Sequence, residues 1–100
     1  MTLNPKDICV IANPGSGQQK RAALDRAMAA FGPEVTLRLW HKGEDLETFV
    51  AQRVAEGFTT IVAAGGDGTV MGVAHSLMET GANLAVLPLG TFNYFARGLG

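Results

Sequence analysis

Thr59-Thr-Ile-Val-Ala-Ala-Gly65-Gly66-Asp67-Gly68-Thr69-Val70 passes from a β-branched, apolar run into a glycine cluster with an acid at its centre. It then runs straight into a helical stripe, Val70, Val73, Ala74 and Leu77. A strand that ends in glycines and feeds a helix is the half-unit of a parallel α/β sheet. Asp7-Ile-Cys-Val-Ile-Ala12, Val35-Thr-Leu-Arg-Leu-Trp40 and Leu84-Ala-Val-Leu-Pro88 are further short apolar runs bounded by turn residues. Between them lie two more helical stripes, Leu24, Ala27, Met28, Phe31 and Leu46, Phe49, Val50, Val54.

Gly32, Gly57 and Gly81 follow the three stripes, where a helix end favours a residue that tolerates positive φ. The order is therefore βαβαβαβ, followed by Thr91–Leu99, which reads as the start of a fourth helix. The first, third and fourth strands are almost continuously apolar, as expected of strands covered on both faces, whereas Arg38 marks the second as an edge. Right-handed crossovers then give a three-layer α/β/α sandwich with a parallel, Rossmann-like sheet and ligands at the strand C-terminal ends. For the loops after the first and third strands to share a ligand those two strands must be neighbours, so the expected order is 2-1-3-4.

One hundred residues make a single modest domain, and 47% hydrophobic with 17% charged residues suffices for a core. A formal charge of −1 leaves no general attraction for nucleic acid or an anionic membrane, so any anion must be held locally. The lone Cys9 excludes an intrachain disulfide and reads as core, in a reducing setting. No leader-like apolar segment opens the chain and no run approaches the ~18 apolar residues of a membrane span, so a soluble chain is expected, while a cytoplasmic setting rests on the lone cysteine and on the resemblance drawn below. The chain stops at Arg97-Gly-Leu-Gly100 inside an unfinished element, which reads as truncation.

Three loops carry the candidate chemistry. Asn13-Pro-Gly15-Ser16-Gly17 joins the first strand to a helix, so its backbone N–H groups can cradle a phosphate; alternatively, Ser16 caps the helix with Gln19 and the glycines only turn the chain. Neither a Walker loop nor a dinucleotide fingerprint fits: no Gly-Lys-Ser/Thr occurs, and Lys20 stands where a third glycine would be needed. In the second loop Gly65 and Gly66 allow close backbone approach, Gly68 relaxes the turn and Thr69 offers a hydroxyl. Asp67 beside a phosphate calls for Mg²⁺, a metal-bound water or a proton to accept; its plainer role is a helix N-cap. In the third, Gly90 and Thr91 repeat the turn, Asn93 can bond base or phosphate, and Arg97 can reach an anion or be solvated. His41 and His75 lack partners at metal spacing, and Met28, Met71 and Met78 read as core filler or domain contacts.

Together these segments resemble the catalytic domain of the diacylglycerol kinase family, which includes sphingoid and bacterial lipid kinases in a superfamily shared with NAD kinase. Gly65-Gly66-Asp67-Gly68-Thr69 carries the superfamily likeness, while Asn13–Gly17 and Leu89-Gly-Thr-Phe-Asn-Tyr-Phe-Ala-Arg97 tilt it toward lipid kinases. The resemblance implies that residues 1–100 are the N-terminal nucleotide-binding lobe and that a β-rich C-terminal lobe completes the cleft. It implies ATP and Mg²⁺ as cofactors and a diacylglycerol-like or sphingoid acceptor, reached by transient contact with a membrane surface; a homodimer stays open. Asp67 is then the catalytic residue, and Asn13, Gly15, Ser16, Gly17, Gly65, Gly66, Gly68, Thr69, Gly90, Thr91 and Asn93 bind the nucleotide. Such a lobe alone is expected to be inactive.

Two departures stand out: Met71 and Gly72 where the family often has Asn and Glu, and Tyr94 where it often has Asp. They keep two alternatives alive, an NAD-kinase-like phosphotransferase on a soluble acceptor and a non-catalytic nucleotide-binding regulator.

Overall fold

The computed structural model describes residues 4–13, 18–41 and 43–89. A short 3-10 turn, Pro5–Asp7, is capped by Asn4, whose side-chain oxygen accepts from Lys6 N–H at 3.0 Å. It leads into β1 (Ile8–Ala12), α1 (Gln18–Phe31), β2 (Thr36–Leu39), α2 (Leu46–Ala55), β3 (Thr60–Gly65), α3 (Asp67–Leu77) and β4 (Asn83–Pro88). All neighbouring strands pair parallel in the order β2-β1-β3-β4, as the shared-ligand argument requires.

Strand alternation sorts the core into two layers. Cys9, Ile11, Ile61 and Ala63 face Val50 of α2 and Val73 and Leu77 of α3. Val10, Ala12, Val62 and Ala64 face Leu24 of α1, with Met28 packed against them. Helices on both faces produce the three-layer sandwich. Cys9, Val10, Ile11 and Ile61 are completely buried, each apolar side chain contributing ~1.5–3 kcal/mol relative to exposure.

Helix ends follow glycine. Gly32 has φ +97° and donates its N–H to Met28 O at 3.1 Å. Gly57, at φ +109°, closes α2 in a Schellman arrangement: its N–H reaches Val54 O at 3.0 Å and Phe58 N–H reaches Arg53 O at 3.4 Å. Gly81 also has positive φ, but it lies in the turn beyond the Met78 cap of α3 rather than at the helix end itself.

Two expectations about covering are corrected. β2 is an edge as read, but β4 is not covered on both faces by the described residues: Leu84 and Val86 are 41% and 50% exposed. An apolar strand records that something must cover it, not that the cover lies nearby in sequence. Met71 and Met78 are exposed, which rules out core filler and leaves the domain-contact reading untouched, and Phe31, at the end of the α1 stripe, is only partly covered.

Candidate functional site

The site is assembled by strand register. Ala12 of β1 pairs with Ala64 of β3, so Asn13 emerges beside Gly65. Gly65 pairs with Pro88, and Leu89 N–H donates to Gly65 O at 3.3 Å, so the chain leaving β4 is tied to the same turn. α1 lies on one face of the sheet and α2 and α3 on the other, which makes the gap between β1 and β3 a topological switch point.

At the end of β3 the backbone turns sharply. Gly65 adopts φ +156°, and a Cβ there would lie 3.2 Å from both Cβ and Oγ1 of Thr69. Thr69 therefore folds back over the glycine and occupies the volume a side chain would need. Gly66, not Asp67, is the N-cap of α3, with extended backbone, and no side chain caps the helix there. The N-cap role expected of Asp67 is thus corrected. The first helical bond runs from Val70 N–H to Gly66 O at 3.1 Å, which places Asp67 at the first helical position.

The first-turn N–H groups of α3 have no intrahelical acceptor, and the helix dipole adds about half a positive charge where they point. Gly68 does not relax the turn as expected. It lies in the first helical turn without positive φ, and a Cβ on either Gly66 or Gly68 would meet nothing within 4 Å. Internal packing does not demand glycine at these two positions; the space before them is open. Asp67 is exposed at the mouth of this turn.

Asn13, Gly65, Gly66, Asp67, Gly68 and Thr69 are thus gathered at one sheet edge. Gly15, Ser16, Gly17, Gly90, Thr91, Asn93 and Arg97 lie outside the described residues. His41 and His75 are both exposed, and among the described residues no three His, Cys, Asp or Glu side chains gather as a metal site. Mg²⁺ is commonly held by one or two carboxylates plus substrate phosphates, and an exposed Asp67 has the donor chemistry for that role.

Reading by glycine overlooked one loop on this edge. Trp40 N–H donates to Ala12 O at 2.8 Å, which sets the β2–α2 connection directly beside Asn13. Glu44 holds it: its carbonyl accepts from Trp40 Nε1 and its carboxylate from His41 N–H, both at 3.0 Å. Asp45 then stands at the N-cap position of α2 without a side-chain capping bond, and a hydrogen bond from the Thr48 hydroxyl keeps its carboxyl below the usual carboxylate range. An aromatic residue ending an edge strand was the available signal.

The fold defines the class first: a doubly wound parallel α/β protein with a glycine turn at its switch point. The chain belongs to the diacylglycerol kinase catalytic domain family, whose model matches residues 7–100. It is 38% identical over 97 residues to a protein of Pseudomonas aeruginosa (strain UCBPP-PA14) named "Probable lipid kinase YegS-like", covering 95% of this chain and 32% of that one. A Klebsiella pneumoniae (strain 342) protein of the same name is 31% identical over 103 residues, covering 100% and 34%. A solved diacylglycerol kinase structure from Bacillus anthracis str. Sterne aligns with TM-score 0.52 and 31% identity, covering 93% of this chain and 36% of that one. The chain spans about a third of the length of the curated relatives it matches.

Proposed function

We propose that this chain is the N-terminal, ATP-binding lobe of a lipid kinase that passes the ATP γ-phosphate to a lipid hydroxyl. The observation that carries the reading is the start of α3: first-turn N–H groups with no intrahelical acceptor and no side-chain cap, open space before Gly66 and Gly68 among the described residues, and an exposed Asp67 at one turn. Backbone N–H groups suit phosphate oxygens because they carry partial positive charge with no side chain in the way. Family membership supports a phosphotransferase.

Phosphoryl transfer asks a protein mainly for positioning and charge neutralisation. In this reading the Gly65–Thr69 turn and Asn13 hold the phosphates, and Asp67 accepts the hydroxyl proton or orients a metal-bound water. Mg²⁺, when bound, would neutralise phosphate charge, with Asp67 and the ATP phosphates as its holders. The second lobe would close the cleft, exclude water and bring the lipid from a membrane surface.

Replacing Asp67→Asn in the intact protein should cut transfer by ~100-fold or more, the scale of losing a general acid–base group, while ATP binding and the thermal melt persist. Turnover within a few-fold of the parent would remove Asp67 from catalysis. The non-catalytic reading has one observation in its favour. Gly72, five residues beyond Asp67, packs against Leu46, where a Cβ would lie 2.5 Å from Leu46 Cδ2, and α3 carries no acid besides Asp67. It predicts ATP binding with no transfer to any acceptor.

A further inference from the structure

β4 ends the sheet, and among the described residues nothing pairs with its outer edge. Natural edge strands are blunted by charge, a bulge or brevity. β2, at the other edge, follows that pattern, with four residues and Arg38 among them. β4 does not. Asn-Leu-Ala-Val-Leu-Pro carries no charge, pairs with β3 in unbroken register and is exposed from Asn83 to Val86, side chains of both faces included.

The phase of its hydrogen bonds says which groups face outward. Asn83 N–H donates to Thr59 O at 2.8 Å and Leu89 N–H to Gly65 O at 3.3 Å. The odd-numbered residues therefore bond inward to β3, and Leu84 and Val86 turn both N–H and C=O outward. This row closes at both ends. Ala82 N–H is already given to Thr80 Oγ1 at 3.1 Å, and Pro88, in the outward phase, has no N–H, as suits an edge. Two donors and two acceptors remain, arranged alike in both directions about Ala85.

We infer that β4 is a self-association edge, pairing antiparallel with β4 of a second copy across a twofold axis at Ala85. The self-complementary row selects a second copy as the occupant, because an isologous contact needs one patch that matches itself. In this register Leu84 exchanges both its bonds with the partner's Val86, and Val86 with the partner's Leu84. Centring the pair on Leu84 would set Val86 C=O against the spent N–H of Ala82, and centring it on Val86 would set Leu84 C=O against Pro88. Only the Ala85 register satisfies every outward group of Leu84 and Val86. It also joins Leu84 to the partner's Val86 as an apolar cross-strand pair, twice, on the face that holds Ile61 and Ala63. The contact is short, in the class of small transient interfaces, so the dimer is reversible and grows with concentration.

The test is cross-linking in the full chain. Ala85→Cys and Leu84→Cys are made singly, oxidised at several protein concentrations and read as covalent dimer on non-reducing gels. Two residues 85 form a non-hydrogen-bonded pair with Cα atoms ~4.5 Å apart, within disulfide reach, whereas two residues 84 are diagonal neighbours at ~7–8 Å, beyond it. Cys9 is buried and does not compete. The expected result is at least tenfold more covalent dimer from position 85 than from 84, rising with protein concentration. It should be lost on adding Val86→Pro, which removes an outward donor, and on adding Val86→Lys, which keeps the donor but charges the edge, with the melts of dilute samples unchanged. Equal cross-linking at 84 and 85 would mean another register, and cross-linking indifferent to both position-86 variants would mean another surface. Absence of covalent dimer at every concentration would mean that the edge does not pair with itself; each of these overturns the inference.

Discussion

Three glycines in one motif do different work at residue scale. Gly65 is required by the protein's own geometry, since its φ is +156° and Thr69 fills the place of a Cβ. Gly68 is not, because nothing stands within 4 Å of its would-be Cβ. Gly65→Ala is therefore expected to cost about 1–3 kcal/mol in a urea titration, with Thr69→Ser relieving only the part due to crowding by the lost methyl. Gly68→Ala should leave stability unchanged or raise it by up to ~1 kcal/mol through helix propensity, yet weaken ATP binding by filling the phosphate space. Unchanged ATP affinity in Gly68→Ala, measured by calorimetry on the intact protein, would contradict the cradle.

Gly57 sets the comparison among elements. At φ +109° with open space around it, its alanine variant suffers conformational strain without a clash, and a loss of about 1 kcal/mol is expected from thermal melts. No loss would mean that the α2 end can rearrange. Elements were the most legible level of the sequence. Leu24 and Met28, Val50 and Val54, and Val73 and Leu77 announced three helices by spacing, and the apolar runs announced four strands. The strand order followed from asking which loops must meet. Three things were not legible. Asp67 is by type a better N-cap than Gly66, but the Val70–Gly66 hydrogen bond puts the helix start one residue earlier. Leu84 and Val86 read as buried, because periodicity records apolarity and not what lies opposite. The Trp40–Glu44 loop reached the site edge through strand pairing, which leaves no local mark in composition.

For the whole molecule, the central layer carries both the core and the candidate site, because β1 and β3 are buried between helices while their ends lead into Asn13 and the Gly65–Thr69 turn. Cys9 reports on that layer. Burial pushes its thiol from an ordinary value near 9 up to about 11. Between these values the unfolded chain loses the thiol proton and the folded chain keeps it, so the folded state binds more protons and stability falls as pH rises. Stability of the parent should lose about 2 kcal/mol relative to Cys9→Val between pH 9 and 11, with no such divergence below 9. Parallel curves for the two proteins across that range would show that the folded state accommodates the thiolate.

The turn at Gly65–Thr69, the family match and the relatives named as lipid kinases lead to one central claim, that the intact protein phosphorylates a lipid. It is tested most directly by supplying the intact protein with γ-labelled ATP and Mg²⁺ together with diacylglycerol, sphingosine and NAD, then partitioning the products. Label in the organic phase, lost in Asp67→Asn, is the predicted result. Label confined to the aqueous product would move the protein to a soluble acceptor, and ATP binding without any transfer would make it a regulator; either would contradict the claim.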